Sequence, residues 1–187
     1  METPGRRERK KAATRQALAD AALDLFLERG YDQVSIRDIA EAADVSTTTL
    51  FKHFPGKEAL VFDESQGREE RLIAAVRERA AGQSIVEALR EYVLATWLPL
   101  TEHPQYAEFT ELVNSTPALQ EYGERMWTRH AAALGAAIAE DTGADPGDTA
   151  CRALARFVLD IPALTRGTPD PRKGVEEIFD LLAHGWR

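Results

Sequence analysis

Between Ser35 and Phe54 lies a stretch whose residue types and spacing suit holding a nucleic acid rather than breaking bonds. Ile39, Val45 and Leu50 are spaced to point inward from two short helices that meet at a sharp angle, and Ala40 is small where those helices would touch. Thr47, Thr48 and Lys52 are left on the outer face of the second helix, where two hydroxyls and an ammonium are free to enter a major groove. Phe51 has two readings, contact with a thymine methyl or partial burial in the core. Lys57 opens the next helix, where its charge and the free backbone N–H groups favour a phosphate.

Catalytic chemistry finds little support. His53, His103, His130 and His184 lack the i, i+4 spacing of a helical metal pair, and Cys151, the only cysteine, has no partner motif. There is no nucleophile elbow and no Gly-rich phosphate loop. The expectation is a protein that is not an enzyme and holds no metal or cofactor. A lone cysteine and a polar, basic start without an apolar stretch behind it point to the cytoplasm, and no apolar run is long enough to span a bilayer.

The charge is uneven. The whole chain of 187 residues carries −8, but residues 1–57 are near neutral at +1 and the remainder holds −9. Arg6, Arg7, Arg9, Lys10, Lys11 and Arg15 cluster against Glu8 alone. A basic end on an acidic body suits a protein that holds DNA at one end, although a solvated leader would look the same.

The elements that must position these residues are helices throughout, about nine of them in an all-α chain. A first helix spans about Ala12 to Arg29, and Gly30 suits its stop. Ser35 with Asp38 forms a capping box for the second, Asp44 falls where the turn needs a left-handed residue, and Ser46 caps the third. Pro55-Gly56 breaks the pattern, and Lys57 opens a long helix reaching about Arg79. Ser84 with Glu87 caps another, Pro117 sits in the first turn of a long one, and Asp145-Pro146 and Asp170-Pro171 open two more. Pro162 should kink the penultimate helix. The expected organisation is a basic flexible arm over 1–11, a helix-turn-helix domain over 12–57, a connecting helix over 58–81 and a helical C-terminal ligand-binding and dimerisation domain over 82–187.

Residues 34–60, with the helix before them, resemble the DNA-binding domain of the TetR family of bacterial transcriptional regulators. Val45-Ser46, the run Leu50-Phe51-Lys52-His53-Phe54 and Lys57-Glu58-Ala59-Leu60 carry the match. Two positions depart from the pattern: Asp44 stands where the family often has Gly, and Phe51 where it often has Tyr, so the hydroxyl that would bond a phosphate is missing. The resemblance implies a homodimer on a palindromic operator, released by a small, hydrophobic effector. It also implies base or phosphate contacts by Thr47, Thr48 and Lys52, and phosphate contacts by His53 and Lys57. The full set expected at DNA is Arg15, Ser35, Arg37, Ser46, Thr47, Thr48, Thr49, Phe51, Lys52, His53 and Lys57.

Trp97, Tyr106, Phe109, Tyr122, Met126, Trp127 and His130 concentrate aromatic and soft side chains in the middle helices, as ordinary core or as the lining of the cavity the resemblance implies. Arg152 and Arg156, one turn apart, are candidate anchors for an anionic ligand, against an ion pair with Asp160. Phe157, Val158, Ile161, Val175, Ile178, Phe179 and Leu182 are core in a monomer, but the resemblance implies that the last two helices form the dimer interface. The role expected on this reading is a ligand-released repressor. The alternative is a DNA-binding dimer controlled by a partner protein, with no small-molecule ligand.

Overall fold

The computed structural model describes residues 5–62, 67–101 and 103–185. Among the described residues there are eleven α-helices and no strand: α1 Arg6–Arg29, α2 Ile36–Ala42, α3 Thr47–His53, α4 Lys57–Phe62, α5 Arg68–Arg77, α6 Ile85–Thr96, α7 Leu98–Thr101, α8 Tyr106–Ser115, α9 Pro117–Thr142, α10 Thr149–Thr165 and α11 Pro171–His184. A 3-10 turn, Tyr31–Gln33, follows α1. None of these helices is long and apolar enough to cross a membrane.

The chain divides into two compact units, and the division differs from the sequence reading. The first joins the N-terminal helices through α4 to Ala107–Gly123; the second comprises α5 through Tyr106 and everything from Glu124. In the first, Leu18, Ala22 and Phe26 of α1 pack with Ile39, Leu50, Phe54 and Leu60, and Leu112 and Leu119 complete the same core. In the second, Leu72, Leu89, Leu134, Val158, Val175 and Phe179 form a separate core from α5, α6, α9, α10 and α11.

Local signals in the sequence are realised. Ser35 Oγ accepts from the N–H of Asp38, whose carboxylate accepts in return from the N–H of Ser35 at 2.8 Å. Ser84 and Glu87 do the same for α6. Asp170 caps α11 with Pro171 at its start.

Three expectations are corrected. Residues 6–11 are the first turns of α1 rather than a flexible arm, because Lys and Arg are good helix formers and Glu8 accepts from the N–H of Gly5; Met1 to Pro4 lie outside the described residues. The long helix from Lys57 to Arg79 is two helices. Gly67 has φ 109°, a left-handed conformation that cannot continue a helix, while residues 63–66 lie outside the described set. Asp145-Pro146 does not open α10. Asp148 N–H closes a turn on Asp145 O at 2.9 Å, and Asp148 itself caps the helix, accepting from Cys151 N–H.

Candidate DNA interface and cavity

The angle between α2 and α3 is set by side chains that see no solvent. Ile39 and Leu50 are fully buried, Ala40 nearly so, and Val45 is packed against them. Asp44 turns the chain with φ 51°, the left-handed value that Asp tolerates. Ser46 Oγ then accepts from the N–H of Thr49 at 3.1 Å and bonds the Thr49 hydroxyl at 2.9 Å. Ser46 and Thr49 therefore hold the start of α3.

What this leaves outside is Thr47, Thr48, Phe51 and Lys52. Phe51 is 55 % exposed, which decides between its two readings in favour of the outer face. Arg37 is exposed on α2, and Ser35 is exposed but committed to Asp38.

Other expected DNA contacts turn inward. The Arg15 guanidinium donates to the carbonyl of His53 and lies 4.0 Å from the Phe54 ring centre, so it fastens the end of α3 to α1. The Lys57 ammonium donates to the Tyr31 carbonyl and sits 3.9 Å over the Tyr31 ring. Burial pushes the Lys57 pKa down, against the pull of Asp32 and Glu58. Tyr31 in turn donates to Glu58 at 2.9 Å, and burial, reinforced by that carboxylate, pushes its phenol pKa up. His53 is half-buried with Nδ1 enclosed and unbonded, and its pKa is lowered by burial first and then by Arg15 and Lys11.

In the second unit a cavity of about 190 Å3 opens among α5, α6, α9 and α10. Trp97, Trp127 and His130 are among the residues that line it. Trp127 and His130 meet edge to face, with ring centres 5.8 Å apart. Tyr106 and Met126 do not line it, although Met126 is buried. Phe109 and Tyr122 belong to the first unit. Phe62 of α4 stacks on Tyr122 at 5.6 Å and meets Phe109 edge-on at 6.4 Å, while Gly123 leaves room for the Phe62 ring.

Arg152 and Arg156 are exposed and away from the cavity, Arg156 being paired with Asp160 at 3.0 Å. Arg68 and Arg71 border it instead. Sequence reasoning passed over them inside a charged run. The signal was their spacing, because Arg68, Arg71 and Leu72 share one helical face at i, i+3 and i+4.

The residues expected at a dimer interface split in two. Val158, Ile161, Val175 and Phe179 are core of the second unit, at most 2 % exposed. Phe157 is 54 % exposed, and Ile178 and Leu182 are partly buried. Leu164 and Leu181, neither of them in the expected set, are exposed on the same two helices.

A model of bacterial regulatory proteins of the tetR family matches residues 18–63, the stretch that runs from α1 through α4. The chain carries a TetR-family DNA-binding domain. Beyond that domain likeness thins. The regulator TcmR of Streptomyces glaucescens is 38 % identical over 86 residues, which is 46 % of this chain and 38 % of TcmR, so the chain spans about two fifths of that relative's length. Among solved structures, NalD, the secondary repressor of the MexAB-OprM multidrug efflux pump in Pseudomonas aeruginosa, superposes with a TM-score of 0.61. It is 23 % identical and covers 94 % of this chain and 97 % of its own. SmeT in complex with triclosan gives 0.59 at 22 % identity, with 91 % of each chain covered. At such identities these two establish that the fold beyond the TetR-family domain is shared, and nothing about ligands.

Proposed function

We propose that the protein is a transcriptional repressor. On this reading it binds a palindromic operator as a homodimer and is released by a small molecule held in the second unit. The observation that carries the proposal is the outer face of α3, where Thr47, Thr48, Phe51 and Lys52 stand in solvent on a buried scaffold of Ile39 and Leu50. Hydroxyls and a methyl-seeking ring at the N-terminal and central turns of α3 suit base edges, and Lys52 suits a phosphate. Arg15 acts by fastening the end of α3 to α1 through the His53 carbonyl, and Lys57 by fastening the start of α4 to Tyr31.

The cavity supplies the place for an effector. SmeT, of similar fold, has been solved in complex with a small molecule, triclosan. A ligand that prefers one arrangement of the dimer shifts the population away from the DNA-competent one, and the coupling is reciprocal.

Titration of operator and scrambled duplexes at several salt concentrations tests the DNA reading. Thr48→Ala should relax sequence preference by about 1–3 kcal/mol and leave the salt slope intact. Lys52→Ala should weaken binding to all duplexes and flatten the slope by about one unit. A Lys52→Ala slope equal to that of the parent would remove α3 from the phosphate backbone.

A further inference from the structure

The cavity volume of about 190 Å3 limits what fits. An apolar protein cavity of roughly 150 Å3 holds one benzene molecule. There is room here for a single ring with a short substituent.

The chemistry of the wall is divided. Trp97, Val158 and His130 are buried and present an aromatic and apolar floor. Arg68, half-buried, and Arg71, exposed, stand three residues apart on α5 and bring two guanidinium groups to the rim. Neither forms an ion pair among the described residues. The neighbouring carboxylate, Glu69, is directed to Arg129 and to His130 of the floor, 3.6 Å from each. The Tyr92 hydroxyl donates to the Arg68 carbonyl at 3.3 Å and so fixes the backbone beneath that guanidinium to α6.

We propose that the cavity takes a small aromatic carboxylate, its ring against Trp97 and Val158 and its carboxylate on Arg68 and Arg71. The forked, permanently charged guanidinium matches a carboxylate in geometry and offsets the loss of its hydration. A neutral ring of the same size gains no charge-assisted hydrogen bond from either guanidinium. The proposal rests on the reading of this cavity as an effector site and adds the ligand's chemical class.

Phenylacetate and phenylacetamide are nearly equal in shape and differ in charge. Each is titrated into the full chain, with the quenching of tryptophan fluorescence and the heat of binding as readouts. Phenylacetate should bind roughly tenfold or more tightly than the amide, the scale of one charge-assisted hydrogen bond. Arg68→Gln with Arg71→Gln should bring the ratio close to one while the amide's affinity stays, and Trp97→Ala should weaken both compounds. Equal binding of the two compounds, a preference that survives the double substitution, or no binding of either to the folded parent protein overturns the proposal. DNA titrations run alongside separate the two levels. Charge-dependent binding that leaves DNA affinity untouched upholds the ligand class and overturns the effector reading. Release of DNA by neutral ring compounds with no response to phenylacetate does the reverse.

Discussion

His53 occupies a position with two duties. Its carbonyl receives the Arg15 guanidinium, and its ring is half-buried near that cation and Lys11. Burial, then Arg15 and Lys11, hold its pKa below the ordinary 6.5, so the folded domain keeps it neutral. As pH falls, the unfolded chain takes up the proton first. The stability His53 contributes is therefore complete above pH 6.5 and is lost as pH falls through the depressed folded value. Asp38, lowered from an ordinary 3.8 by its bonds to Ser35, is lost in the same direction but in a more acidic window. His53→Gln should thus flatten the dependence of Tm on pH in the window just below 6.5 and leave the acid limb unchanged. A slope identical to that of the parent chain would mean that the ring is not desolvated. At this scale the caps at Ser35, Ser46 and Ser84 and the left-handed Asp44 were all legible, because each depends on neighbours within a few residues. The inward turn of Arg15 and Lys57 was not, since it depends on His53 and Tyr31, 38 and 26 residues away.

The helices were legible as helices and much less so as partners. Apolar periodicity marks which face of α10 and α11 is buried but carries no label for what covers it. Val158, Ile161, Val175 and Phe179 are covered by their own unit, and Phe109 and Tyr122 by Phe62 of α4. These pairings join segments far apart in sequence, and the same stripe of residues would read alike in either setting. A charge at Phe179 would accordingly unfold the second unit rather than divide a dimer, because it would be buried without a partner. Leu164 is the cleaner probe, as it is 63 % exposed on α10. Leu164→Asp should keep the helical content and Tm of the separated chain while sedimentation shifts from dimer to monomer. A variant that sediments as a dimer would place the interface away from the exposed residues of α10.

At the scale of the whole molecule, two units with separate cores divide the work proposed for the chain. One presents α3 on a rigid scaffold, and the other encloses a cavity whose rim is cationic and whose floor is aromatic. The all-helical class and the DNA-binding domain could be read from the sequence because both rest on local pattern. The cavity's cationic rim could not, because Arg68 and Arg71 gain meaning when α6, α9 and α10 are placed opposite them. The central claim is that α3 reads sequence and that two copies do so together. Selection of binding sites by the full chain from a pool of random duplexes tests it most directly. The expected result is enrichment of an inverted repeat whose half-sites lie about one helical turn apart, roughly 10 base pairs centre to centre, or a multiple of it. Enrichment of an unrepeated site, or of no sequence at all, would contradict it.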